Sequence, residues 1–224
     1  MNKPRTRREF FAEVGCGMLV ATVGYEVASG LSLTSAFAEE PPEILSFGDL
    51  EPLVCLMQET PIDRLLPLLV ARLRSGTDLR KLTAAAALAN ARTFGGEDYV
   101  GFHTMMALAP ALHLAQEMPA QSQPLPVFKV LYRNTNRIQE HGGRKEEVLR
   151  PAAPATGGAL SGAQLREAVR RKDVNAAEQT FARIAQGSPD AALNELLWAV
   201  QDHTEVHRVV LPYRAWDLLG LIGM

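Results

Sequence analysis

From Pro61 to Glu140 the apolar residues recur at every third and fourth position, the period of a helix with one buried face, and no stretch of alternating β-branched residues rivals that pattern. Leucine and valine repeat with this spacing from Pro61 to Arg74. Thr77-Asp78 opens a Leu-Ala-rich helix running to Arg92, in which alanine favours both helicity and close packing. Phe94-Gly95-Gly96 interrupts it, and Glu97-Asp98 starts a third helix through Gln116 with Pro110 inside. A connector punctuated by proline and glutamine, Pro119 to Pro126, leads to a helix over Val127–Glu140 that ends at His141-Gly142-Gly143. The expectation is an all-α protein.

Composition narrows the function classes. With 23 basic against 25 acidic side chains and a net charge of −2, nothing in the charge balance calls for a nucleic-acid partner. No uninterrupted apolar run reaches the roughly 20 residues of a membrane-spanning helix, so stable membrane insertion is not expected. Two cysteines exclude a disulfide framework. Cys55, inside Leu53-Val54-Cys55-Leu56-Met57, reads as a small core residue.

The first residues form a basic head, Lys3, Arg5, Arg7 and Arg8, followed by a weakly apolar run from Val14 to Tyr25 and small residues ending in Ala36-Phe37-Ala38. This is the order of a removable export signal, with cleavage after Ala38; an amphipathic helix that stays attached is the alternative. Thr6-Arg7-Arg8-Glu9-Phe10-Phe11 resembles the twin-arginine export motif, although Ala12 stands where a lysine is common and Glu13 and Glu26 flank the apolar stretch. The resemblance implies recognition by the twin-arginine translocase, folding in the cytoplasm before export, and a periplasmic or secreted destination.

Beyond the signal at 1–38, an internal echo suggests a duplicated multi-helix unit, a helical repeat pair or a short helical array. Val70-Ala71-Arg72-Leu73-Arg74-Ser75-Gly76-Thr77-Asp78 matches Phe181-Ala182-Arg183-Ile184-Ala185-Gln186-Gly187-Ser188-Pro189-Asp190. Val100-Gly101-Phe102-His103 opens an apolar helix with Pro110, and Thr204-Glu205-Val206-His207 opens another with Pro212. This divides the chain into a first repeat unit with its connector helix (39–149), an exposed, mobile Pro/Ala/Gly/Ser linker (150–162) and a second unit (163–224). Leu165 to Ile184 resembles one tetratricopeptide-type helical hairpin without that motif's tryptophan and tyrosine. The apolar ending Leu218-Leu219-Gly220-Leu221-Ile222-Gly223-Met224 suggests an incomplete second unit or an end covered by a protein partner or by self-association.

Histidines carry the one chemical suggestion. His203 and His207 are four apart, which on a helix puts both rings on one face, within reach of a single zinc, iron or copper ion. His103 holds the position in the first unit that His207 holds in the second. His113 and Asp217 follow each by ten residues, and Asp98 and Asp202 precede each by five. A shared transition-metal shell of His103, His203 and His207, completed by Glu205, His113 or Asp217, is the expectation. Asp202-His203-Thr204-Glu205-Val206-His207 is nonetheless not the H-E-x-x-H motif, its glutamate falling at the wrong helical position. The bland reading keeps His103 and His207 as helix-start residues with local partners, His113 as a core residue and His141 as a solvated one.

Gly101-Phe102-His103 running into an apolar helix is similar to the questin oxidase-like proteins, helical oxygenases with histidines on internal repeats, which implies an oxidoreductase-like role. The alternative is a non-catalytic helical scaffold for protein interaction. No glycine-rich phosphate loop, G-x-S-x-G turn or cysteine pair competes. Arg133, Arg137, Arg144 and Lys145 read as a solvated face, and Trp216 as a core residue of an amphipathic helix.

Overall fold

The computed structural model describes residues 45–95, 98–157 and 161–222. The export signal, with Arg7, Arg8 and the cleavage point after Ala38, lies outside them. All regular structure among the described residues is helical: nine α-helices and two 3-10 turns, with no strand among them. None of these helices is long and apolar enough to cross a membrane. The chain divides into two compact units, Ser46–Leu149 with Asp217–Met224, and Arg150–Trp216, to which Leu45 also belongs.

In the first unit a 3-10 turn (Gly48–Leu50) leads into α1 (Glu51–Glu59), followed by α2 (Ile62–Arg74), α3 (Leu79–Phe94), α4 (Tyr99–Gln116) and α5 (Pro124–Glu140), then a second 3-10 turn (Gly143–Glu146). α3 is the centre. Every residue from Leu82 to Phe94 is buried, and α1, α4 and α5 all pack on it. Its alanines make this possible, because a helix enclosed on all sides must let its neighbours approach closely. Asp78 caps it by accepting the Lys81 N–H at 2.7 Å, and Gly95 ends it in the left-handed conformation. Gly101 then brings α4 against Phe94: a β-carbon there would sit 2.6 Å from the ring.

The second unit contains α6 (Gly162–Arg170), α7 (Val174–Ile184), α8 (Pro189–Val200) and the start of α9 (Val206–Ile222). Helices α6, α7 and α8 pack on one another around Leu165, Phe181 and Leu196, each fully buried. A capping box between Ser161 and Gln164 starts α6, and Asp173 and Ser188 cap α7 and α8. The stretch 150–157 has no regular structure, as a linker should, but it is not wholly exposed. Ala152 is buried and the Ala155 N–H donates to the Gln179 carbonyl on α7 at 2.9 Å. Lacking a repeating apolar pattern, such a docked segment reads as linker in sequence.

Candidate functional site

His103 lies on α4 in the first unit; His203 and His207 belong to the second. His203 does not share a helix face with His207. α9 begins at Val206, so His203 lies in the preceding loop and the helical four-residue spacing does not apply to the pair. Each of the two echoed histidines makes a local contact. His103 Nδ1 donates to the Tyr99 carbonyl at 2.5 Å, with its ring stacked at 4.9 Å on Phe102. His207 Nδ1 lies 2.7 Å from Glu205 Oε1. Desolvation, the largest single contribution, would raise the Glu205 pKa, but the hydrogen bonds from His207 and Arg208 together outweigh it and hold its carboxyl below the ordinary range.

His113 is exposed rather than in the core, because α4 buries Leu108, Leu112 and Ala115 and turns position 113 outward. His141 is half-exposed and sets its ring edge-on to Phe94 at 5.1 Å. Asp217 is half-buried on α9. Among the described residues, no three of His, Cys, Asp and Glu come together in a group able to hold a metal ion.

The echoed acids are both bound by arginine. Asp98 caps α4 through the Gly101 N–H at 2.6 Å and receives Arg137 Nε at 2.8 Å and Nη2 at 2.5 Å. Burial alone would raise its pKa, but the Arg137 and Gly101 hydrogen bonds prevail and lower it. Arg137 therefore belongs to an ion pair, not to a solvated basic face. Asp202 takes Arg166 and Arg170 from α6, which hold its carboxyl well below the carboxylate range. Asp98 thus fastens the start of α4 to α5, and Asp202, just past the end of α8, fastens that end to α6.

Sequence reasoning missed the most elaborate polar cluster, which centres on Arg92. Its side chain is fully buried. Nη1 reaches both Glu51 oxygens at 2.7 and 3.0 Å, Nη2 reaches Gln58 Oε1 at 2.5 Å, and the guanidinium lies 5.1 Å from the Phe47 ring centroid. Glu147 Oε1 stands 3.1 Å from Nε but out of hydrogen-bonding line, held by charge. The Arg92 carbonyl accepts the Val148 and Leu149 N–H groups, both at 3.2 Å.

Cys55 borders this cluster, half-buried, donating to Glu51 at 3.2 Å and receiving Arg144 at the same distance. Desolvation and the Glu51 hydrogen bond push its thiol pKa up, which suits a structural sulfur and not a nucleophile. The only sequence signal for the cluster was a charged residue interrupting the alanine run of α3.

One surface feature remains. α9 buries Leu211, Ala215, Leu218 and Leu219, yet Val206, Val209 and Tyr213 on its other side are 60%, 44% and 47% exposed. With Trp216 they follow the i, i+3, i+7, i+10 spacing of a helix-pairing seam. Trp216 is half-buried, its Nε1 donating to Asp190 Oδ1 at 2.8 Å, so it lies at the edge of the packed interior rather than inside it.

No protein-family model, no curated protein and no solved structure matches this chain.

Proposed function

We propose that the chain is a non-catalytic helical binding protein that receives an apolar helix of another protein on the outer face of α9. The observation that carries the reading is the second apolar face of α9. A helix packed on one side ordinarily turns polar residues to water on the other, and here Val206, Val209 and Tyr213 stand there instead. Pairing along such a seam follows the helix-in-groove mode of recognition.

The test replaces Tyr213 with the photo-crosslinking p-benzoylphenylalanine in the producing cell, with Tyr132 on α5 replaced likewise as the reference. A discrete adduct from position 213, absent from position 132 and abolished by Val209→Glu, is the expected result. No adduct, or the same adducts from both positions, overturns the reading.

Export through the twin-arginine route is part of this proposal and rests on Arg7, Arg8 and Ala36-Phe37-Ala38. Arg7→Lys with Arg8→Lys should leave the protein in the cytoplasm with its first residues attached. The exported wild-type should begin at Glu39 on N-terminal sequencing, and any other start defeats the cleavage assignment.

A second reading keeps a metal- or cofactor-binding role for His207. The Glu205 carboxylate on Nδ1 is the kind of contact that fixes a ligating imidazole's tautomer. Elemental analysis of cytoplasmically folded protein decides it: stoichiometric zinc, iron or copper lost in His207→Ala and reduced in His103→Ala or His203→Ala supports it, and metal-free wild-type protein sinks it.

A further inference from the structure

The end of α2, the start of α3 and the last turn of α9 enclose a groove of about 670 Å³ within the first unit. Its volume lies in the range of small-ligand sites. Two kinds of surface meet there. Arg72, Arg80 and Lys81 bring three cations to its lining, while Leu50, Leu53, Ala84, Leu221 and Ile222 supply apolar surface.

The two acids in the groove do not neutralise these cations. Among the described residues neither Asp49 nor Asp78 forms an ion pair with any of the three, and Asp78 Oδ1 is engaged by the Lys81 backbone N–H. Arg80 instead donates to the Gly220 carbonyl, which fastens the last turn of α9 to the start of α3. The turn Ser75-Gly76-Thr77, with Gly76 at φ +96°, joins the helix that carries Arg72 near its end to the one that carries Arg80 and Lys81 near its start, and all three line the groove.

We propose that this groove binds a single-chain anionic amphiphile, its carboxylate or phosphate on Arg72, Arg80 and Lys81 and its hydrocarbon along Leu53, Leu221 and Ile222. Arginine matches the two oxygens of such a head group with paired donors, and the alkyl chain gains by leaving water. Nothing in this inference depends on the outer face of α9.

Titration calorimetry on the full chain with dodecanoate and dodecyl phosphate, below their micelle concentrations, tests it. Both should bind one to one. Dodecanol, lacking the charge, and inorganic phosphate, lacking the chain, should each bind at least about tenfold more weakly. Arg72→Gln combined with Lys81→Gln should weaken dodecanoate by about tenfold or more, while Arg64→Gln, an exposed arginine of α2 outside the groove, should not.

Vesicles of phosphatidylglycerol separate the two sources of such a head group. Binding to monomeric amphiphile without vesicle flotation is the expected result, and flotation lost in the double variant would reassign the groove to a membrane surface, overturning the proposal. Equal affinity for dodecanol or for inorganic phosphate, an unaffected double variant that circular dichroism shows to be folded, or no binding overturns it as well.

Discussion

The two units use charge in opposite ways. In the first, polar and ionic groups are sealed inside: Arg92 is enclosed by Glu51, Gln58 and Glu147, and Asn90 on α3 donates to Asn134 Oδ1 on α5 at 2.6 Å and to the Gly101 carbonyl on α4 at 2.8 Å. In the second, Thr180 stands alone as a buried polar residue among the described ones, and the arginine–carboxylate network of Asp202, Arg166 and Arg170 lies at the surface. The difference teaches that the same residue types do different work at different depths. A buried pair makes the loss of either partner expensive, because the other is left charged in a low dielectric, whereas a surface pair leaves its partner to water.

The largest effect should follow from Arg92→Ala. It strands Glu51 and Glu147, removes the cation from the Phe47 ring and opens a cavity beside α1. A loss of about 3–5 kcal/mol is expected, read as hydrogen-exchange deprotection of α1 and α3. Arg92→Met combined with Glu51→Leu and Glu147→Leu should recover part of it, since filling the site with apolar groups removes the stranded charge. If Arg92→Ala has no effect on exchange, the buried network does not hold this unit.

Next is Gly162→Ala, the equivalent blow to the second unit. The new β-carbon would meet the Glu195 carbonyl at 2.3 Å and Trp198 at 2.4 Å, and the backbone of α8 cannot yield as a side chain can. About 1–3 kcal/mol should be lost. Trp198 and Trp216 both belong to this unit, so tryptophan emission during urea unfolding reports it directly.

How far these features could be read from the sequence follows the same division. The helices from α2 to α5 were legible from their apolar spacing and composition, whereas α1 was not read as a helix. The cap residue Asp78 and the Gly95 stop were legible too, since the chemistry of a helix end is local. The Arg92 cluster was not legible: its partners come from 34 to 55 positions away, at Gln58 and Glu147, and only folding brings them together. The histidine pattern shows the converse failure. His203 and His207 look paired at helical spacing, but the helix starts between them, and boundaries are what periodicity fixes least well. Asp98 and Asp202 drew attention as possible chemistry, when capping and arginine pairing account for the contacts they make.

A smaller effect distinguishes the units by pH. In the first, Glu51 and Asp98 stay below their ordinary pKa because hydrogen bonds from Arg92 and Arg137 outweigh burial, so their contribution is present above the unfolded pKa and lost as pH falls through the folded one. Glu178 in the second has the reverse sign. Burial raises its pKa above 4.5, so the folded unit favours the protonated form, and stability falls as pH rises through the interval above that value. Glu178→Gln should therefore raise the urea midpoint at pH 7 and leave it unchanged at pH 4; equal gains at both would mean that lost volume or packing, not charge, is responsible.

The smallest effect belongs to Asp202→Asn, although its carboxylate has the lowest-lying pKa of these groups. Arg166 and Arg170 approach it at the surface, where water and salt already screen the charges and take over when one is removed. Depth and not pairing geometry decides the outcome, so the bidentate contacts of Asp202 should matter far less than the similar ones of Arg92. The urea midpoint of the second unit should drop slightly at low ionic strength, and the drop should vanish in about 1 M sodium chloride, where the screening length shrinks to about 3 Å. The loss from Arg92→Ala should persist in the same salt. If both variants respond alike to salt, burial is not what separates the two networks.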